Sequence, residues 1–417
     1  MERVMCSATH LVLLTLWASA HGTRKFGPGV ELVANAQSKF GMDMFQALTI
    51  HDNSSNIFFS PTSISTALAL VYAGSGGKTA QQMAAVLHFE SGERRDFMHG
   101  HRRYLRRITG RSKEGVTVKI ANNLYVSLSR PVMPKYVRFA KNMFGADVSS
   151  VDFGGSPAAA ADLINTRVRN DTEGNIDNLV EEDALDEGTV FVVVNAVYFK
   201  GSWLLKFNES DTAPGQFHAA DGPRSVDMMT ATKLFPTASL PGLDARALML
   251  PYQGEELGML ILLPNELNGI YELEALVDHA TLVTARAHLS ARVEVHVQLP
   301  KFNMEAEIDL SVILKEMGVT DLFDPSRADL SGITGETGMA ISKAVHKAFV
   351  NVNEEGTEAA AATAFACCFR SAPPIVPPFI VDRPFIFAIM DLQLDSVLFM
   401  GRVMSLGSAR PSEAPPQ

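Results

Sequence analysis

Residues 354–364 read Glu354-Glu355-Gly356-Thr357-Glu358-Ala359-Ala360-Ala361-Ala362-Thr363-Ala364. Two instructions conflict in this string. A run of alanines favours helix, yet side chains this small also fit between strands already in place, where bulk finds no room. Such a segment can be a loop in one state and a strand in another. An ordinary alanine-rich helix stays open as the alternative until the rest of the chain is read.

Outward from it, the N-terminal half opens with Leu32, Val33, Ala36, Phe40, Met44, Phe45 and Leu48, an apolar spacing of three and four that predicts an amphipathic helix. Ser60-Pro61-Thr62-Ser63 then places cap-type residues and a proline ahead of Ile64 to Tyr72, which predicts a second, largely buried helix. Strand patterns follow at Val116, Val118 and Ile120, along Phe191 to Phe199, and at Val293, Val295, Val297 and Leu299. A hairpin is expected where Ala247 to Leu250 and Met259 to Leu263 flank Gln253-Gly254-Glu255-Glu256. Helices and strands interleave without regular alternation, so the fold class reads as α+β. No repeat or linker divides the chain, and one large domain is expected over 21–417.

The hydrophobic share of 47% and charged share of 20% in 417 residues predict a big buried core. The net charge of −10 argues against nucleic-acid binding. Met1-Glu2-Arg3, an apolar run from Leu11 to Trp17 and the small residues Ala18-Ser19-Ala20 read as a secretory leader over 1–20. That run is too short to span a bilayer, so a secreted product with no membrane partner is expected. Asn53, Asn170 and Asn208 head glycosylation sequons. With Cys6 in the leader, only the neighbours Cys367 and Cys368 remain, so packing and not disulfides must stabilise the fold.

Enzyme motifs fail one by one. Gly76-Gly77-Lys78-Thr79 imitates the end of a phosphate-binding loop, but Tyr72 stands where the first glycine is needed, and a helix-to-helix turn is expected. Gly-x-Ser-x-Gly, His-Glu-x-x-His and Cys-x-x-Cys patterns are missing, so no catalytic residue, cofactor or metal is expected. His99 and His101, two apart on a helix, read as a solvated surface pair.

With those alternatives set aside, Glu355-Gly356-Thr357-Glu358-Ala359-Ala360-Ala361 resembles the hinge of inhibitory serpins. Asn56 to Thr79, Asn195-Ala196-Val197-Tyr198-Phe199-Lys200-Gly201-Ser202-Trp203, Met228-Met229, Asp329-Leu330-Ser331-Gly332-Ile333, Pro378 to Phe387 and Leu398 to Val403 are similar to serpin blocks in family order. The resemblance implies the serpin fold: a single large domain with a five-stranded main sheet, further sheets, about nine helices and an exposed reactive-centre loop over about 354–378. It also implies a job, suicide inhibition. A protease cuts the loop, the freed end inserts as a new central strand, and the acyl-enzyme is dragged away before water can release it. Insertion of fourteen residues makes about 46 Å of new strand.

The family's spacing from Gly356 puts the reactive bond at Arg370-Ser371, with Cys367, Cys368 and Phe369 as neighbouring loop subsites and Glu355, Gly356, Thr357, Glu358, Ala359, Ala360, Ala361, Ala362 and Thr363 as the hinge. Arginine before the bond implies a trypsin-like target, because a guanidinium pairs with a carboxylate in the specificity pocket. Thr357, Ala359, Ala361 and Thr363 are compact and uncharged, which favours an inhibitor over a non-inhibitory carrier, storage protein or chaperone of the same fold. By resemblance, Ser60, Ser63, Asn195 and His346 form a polar gate under the sheet, and Trp203 marks the loop's entry. Arg95, Arg102, Arg103, Arg106 and Arg107 supply a basic helical stripe, a candidate site for sulfated glycosaminoglycan on a protein expected to be monomeric.

Overall fold

The computed structural model describes residues 26–89, 94–110, 115–289, 291–357 and 378–407. The expected leader over 1–20, Glu358 to Thr363, Cys367, Cys368, Phe369, Arg370 and Ser371 lie outside the described residues.

The chain opens with α1 (Pro28–His51), β1 (Ile57–Phe59), α2 (Pro61–Ala73), α3 (Gly77–Val86) and α4 (Arg94–Thr109). It continues through β2 (Val116–Ser127), α5 (Pro134–Phe144), β3 (Asp147–Val151), α6 (Pro157–Asp171), β4 (Phe191–Ser202), β5 (Ala213–Ala219) and β6 (Gly222–Leu240). Next come β7 (Ala245–Pro251), β8 (Leu257–Pro264), α7 (Ile270–Leu276), α8 (His279–His288), β9 (Arg292–Pro300), β10 (Phe302–Asp309) and α9 (Leu310–Glu316). The last are α10 (Ser331–Thr334), β11 (Ile341–Val352), β12 (Gly356–Thr357), β13 (Pro378–Ile380), β14 (Phe385–Asp391) and β15 (Ser396–Val403). Both expected helices, the three strand patterns and the β7–β8 hairpin are present. Ser60 caps α2 by accepting the Ser63 N–H at 3.1 Å, with Pro61 at the first helical position. Gly74 to Gly76 form the expected turn between α2 and α3.

A main sheet runs β10-β11-β4-β2-β3, five strands as expected, with the two-residue β12 added on β4. The larger sheet runs β1-β15-β14-β8-β7-β6-β9-β13, with β5 on β6. Their inner faces meet around α2, whose residues Pro61 to Tyr72 are all buried. Phe199 of β4 lies 5.3 Å from Phe399 of β15 across this core. β4 reads as continuously apolar because both its faces are covered. Phe191, Val193, Val197 and Phe199 enter the core, while Val192, Val194 and Ala196 pack with Ala160, Ile164 and Val168 of α6.

Candidate functional site

The site begins at a parallel contact. β4 and β11 pair in parallel from Phe191 with Ile341 up to Tyr198 with Phe349. Above that level the ladder between them ends, β4 continues to Ser202, and β12 takes up its free edge antiparallel, with Gly356 opposite Ser202 and Thr357 opposite Gly201. Gly356 and Thr357 of the expected hinge thus form an antiparallel rung on β4 at the mouth of the seam.

Glycine is required at that rung. Gly356 has φ +141, and a Cβ on it would lie 2.0 Å from the Gly201 carbonyl oxygen. A tight reversal feeds it, in which Asn353 N–H donates to Gly356 O at 2.9 Å. Trp203 seats this reversal from below: its backbone N–H donates to Glu355 O at 2.9 Å and its indole Nε1 to Asn353 O at 3.0 Å. Its ring stacks on Tyr252 with centroids 4.6 Å apart.

Charges fasten the same segment. Glu355 pairs with Lys206. Glu354, only 4% exposed, receives Lys301 at 3.0 Å and the Thr212 hydroxyl at 2.8 Å. Burial works against its ionised form, but hydrogen bonds from its own backbone, Lys301 and Thr212 outweigh that and hold the carboxyl below the usual glutamate range.

Halfway down the seam His346 of β11 lies directly opposite Asn195 of β4. Burial pushes the His346 imidazole down to about 3, so it is neutral near pH 7. Its Nε2 accepts the Ser60 N–H at 3.2 Å, which leaves the proton on Nδ1 for donation to Asn195 Oδ1. Asn195 Nδ2 in turn reaches Ser63 Oγ at 2.7 Å and Asn122 Oδ1. The structure thus brings Ser60, Ser63, Asn195 and His346 together, and places Trp203 apart from them at the top of the seam. Each polar group under the two strands is matched to another, and pulling the strands apart breaks the set.

Sequence reasoning missed Asn122, Lys206, Thr212, Lys301 and Tyr252. Asn122-Asn123 places two adjacent amides inside a strand pattern and could have been flagged, whereas the lysines are ordinary surface residues until the fold brings them to the hinge.

Two expectations on α4 need correction. Arg107 does not join an exposed stripe: its guanidinium reaches Asp391 at 3.1 Å and lies 4.4 Å over the Phe26 ring, because that face of the helix packs on the turn after β14. His99 and His101 are not a surface pair either, since His101 is fully buried and meets the Thr66 hydroxyl at 3.0 Å. Arg95, His99, Arg103 and Arg106 are exposed, and Arg102 is half-buried. Asn53, Asn170 and Asn208 are all exposed. Among the described residues no cluster of three His, Cys, Asp or Glu side chains forms a metal site.

A family profile described as Serpin (serine protease inhibitor) matches residues 35–406. Leukocyte elastase inhibitor A of Mus musculus is 41% identical over 385 residues, covering 90% of this chain and 100% of that protein. Leukocyte elastase inhibitor of Homo sapiens is 39% identical with the same coverage. Among solved structures, Serpin48 of the insect Tenebrio molitor, described as a highly specific serpin, superposes with a TM-score of 0.80 at 34% identity, over 93% of this chain and 100% of its own. Human thyroxine-binding globulin, complexed with its hormone, gives a TM-score of 0.83 at 27% identity over 91% of this chain and 100% of its own. One shape serves a protease inhibitor and a hormone-binding protein, so the task must be argued from the site.

Proposed function

The chain belongs to the serpin family of serine protease inhibitors, and on that premise we propose that it is a secreted, monomeric suicide inhibitor of trypsin-like proteases, cut at Arg370-Ser371. The observation that carries this reading is the hinge already paired at the top of the parallel seam. A strand begun antiparallel on β4 can only extend downward, one loop residue for each β4 residue passed. In that register Thr363 comes level with Asn195 at the gate and Arg370 level with Gly188 at the foot of the sheet. Thr357, Ala359, Ala361 and Thr363 then face the core side, as Asn195 does, and carry no charge to bury. Glu358 takes the opposite face. A hinge of that composition supports an inhibitor over a carrier or storage protein.

The named relatives are elastase inhibitors, but specificity follows the residue before the cut bond, and Arg370 suits a pocket with a carboxylate at its base. Phe369 before it favours targets with an open or apolar neighbouring subsite, kallikrein-like enzymes ahead of thrombin. Secretion rests on the leader at 1–20 and agrees with three exposed sequons. The exposed Arg95, Arg103 and Arg106 are the part of α4 that a sulfated glycosaminoglycan would meet.

Mixing the purified protein with trypsin tests the reading. Wild type should give a denaturant-resistant covalent complex, Arg370→Ala should give none, and Thr357→Arg should be cut without trapping. Trapping that persists in Thr357→Arg would refute the hinge argument.

A further inference from the structure

A cleft of about 810 Å³ lies beside β3, the edge strand of the main sheet, between α5 and α6. Val137, Val148 and Leu163 line it, and Leu163 is 50% exposed at its mouth. Tyr125 of β2 also lines it, although its side chain is 98% buried by relative exposure of only 2%. The Tyr125 hydroxyl has no hydrogen-bond partner. A buried hydroxyl left unmatched costs about 1–3 kcal/mol, which a molecule entering the cleft with an acceptor would relieve.

The charged lining narrows what that molecule can be. Lys141 and Arg167 are balanced by Asp147 and Asp162. Lys141 already reaches Asp147 at 2.6 Å, and Arg167 pairs with Asp147 and, at 3.0 Å, with Asp171. Neither an anion nor a cation finds net opposite charge here, while Val137, Ala146, Val148 and Leu163 supply apolar wall between these paired groups and the volume is that of a drug-sized ligand site. Burial raises the Tyr125 pKa above its ordinary value, so the hydroxyl keeps its proton for donation.

We propose that this cleft binds a neutral, lipophilic small molecule carrying a carbonyl or hydroxyl acceptor, with Tyr125 as the donor at its base. The site is separate from the seam and the loop, and its test does not depend on inhibition.

The probe is Nile red, a neutral aromatic ketone, followed by fluorescence titration. Asn170 also stands on the rim, so all proteins carry Asn170→Gln to keep any glycan off the mouth. Saturable one-to-one binding is expected, weakened about five- to tenfold by Tyr125→Phe, the loss of one hydrogen bond. Leu163→Arg should abolish binding. Leu163→Arg should melt as its parent does, since it alters an exposed side chain, and Tyr125→Phe should melt no lower, since it removes a buried hydroxyl that has no partner. The anionic dye 8-anilinonaphthalene-1-sulfonate should not displace Nile red. The proposal is overturned if Nile red does not saturate, if either substitution leaves its affinity unchanged, or if the anionic dye binds the cleft more tightly.

Discussion

Gly356 and Ser202 face each other as the first rung of a strand, in a place where the Gly201 carbonyl leaves no space for a side chain. Gly356→Ala must therefore push β12 off the sheet or force an L-residue into a glycine-only conformation, at a cost of about 1–3 kcal/mol. The variant should melt lower and be consumed as a substrate, with several molecules cut for each protease trapped. Stoichiometry measured on denaturing gels decides; a ratio equal to wild type would remove the rung from the mechanism.

The Glu354–Lys301 pair holds the hinge at its base. In Glu354→Lys two ammonium groups meet where a buried carboxylate was, and the segment should leave its seat. The mouth of the seam is then open to the loop of another molecule, and warming should give oligomers on size-exclusion chromatography. Adding Lys301→Glu restores the pair with its sign reversed and should return the protein to monomer. Oligomers that persist in the double variant would point away from charge as the cause.

Acid should loosen the gate. His346 and His101 are both held at about 3 in the folded protein, against an ordinary value of 6.5. Between those values the unfolded chain takes up protons that the folded one refuses, so stability is full above about pH 6.5 and falls as pH is lowered toward 3. By pH 5 each histidine should account for roughly 2 kcal/mol of lost stability. Urea unfolding at pH 7 and pH 5 measures this, and His101→Gln should flatten part of the slope. An unchanged midpoint between the two pH values would contradict the neutral assignment.

If the cut loop inserts as proposed and keeps the β12 register, Cys367 would come level with Phe191 and Cys368 with Val190, side chains to opposite faces as neighbours in a strand must be. A disulfide between the two would tie those side chains together and keep this pair from extending. Treating the protein with the oxidant diamide, which takes up the two thiol hydrogens, should turn trapping into plain cleavage. Dithiothreitol should reverse it, and Cys367→Ser should be indifferent to both. Equal trapping by oxidised and reduced wild type would dismiss the effect.

Local order was legible wherever one stretch of chain carries its own signal. The spacing of Leu32 to Leu48, the Ser60-Pro61 start and the alternation of β9 each announce an element, because periodicity and caps act within a few residues. The parallel meeting of β4 and β11 is another matter, since it joins segments some 150 residues apart and neither string names its neighbour. His346 and Asn195 entered as a gate only through family resemblance. Asn122 completes their hydrogen bonds, and no short-range rule connects it to either. On α4 the period placed Arg107 with the basic residues, but it could not foresee Asp391 waiting on its side.

The strands Phe385–Asp391 and Ser396–Val403 are inserted between the edge strand β1 and β8 of the larger sheet. They are also the last strands to leave the ribosome. Until they arrive, β1 has no mate and Phe58 lacks the rings of Phe387 and Phe399 that cover it. A nascent chain stopped before residue 385 would thus expose a long apolar gap to the cell's folding machinery, so synthesis must be nearly complete before this sheet can close over its core.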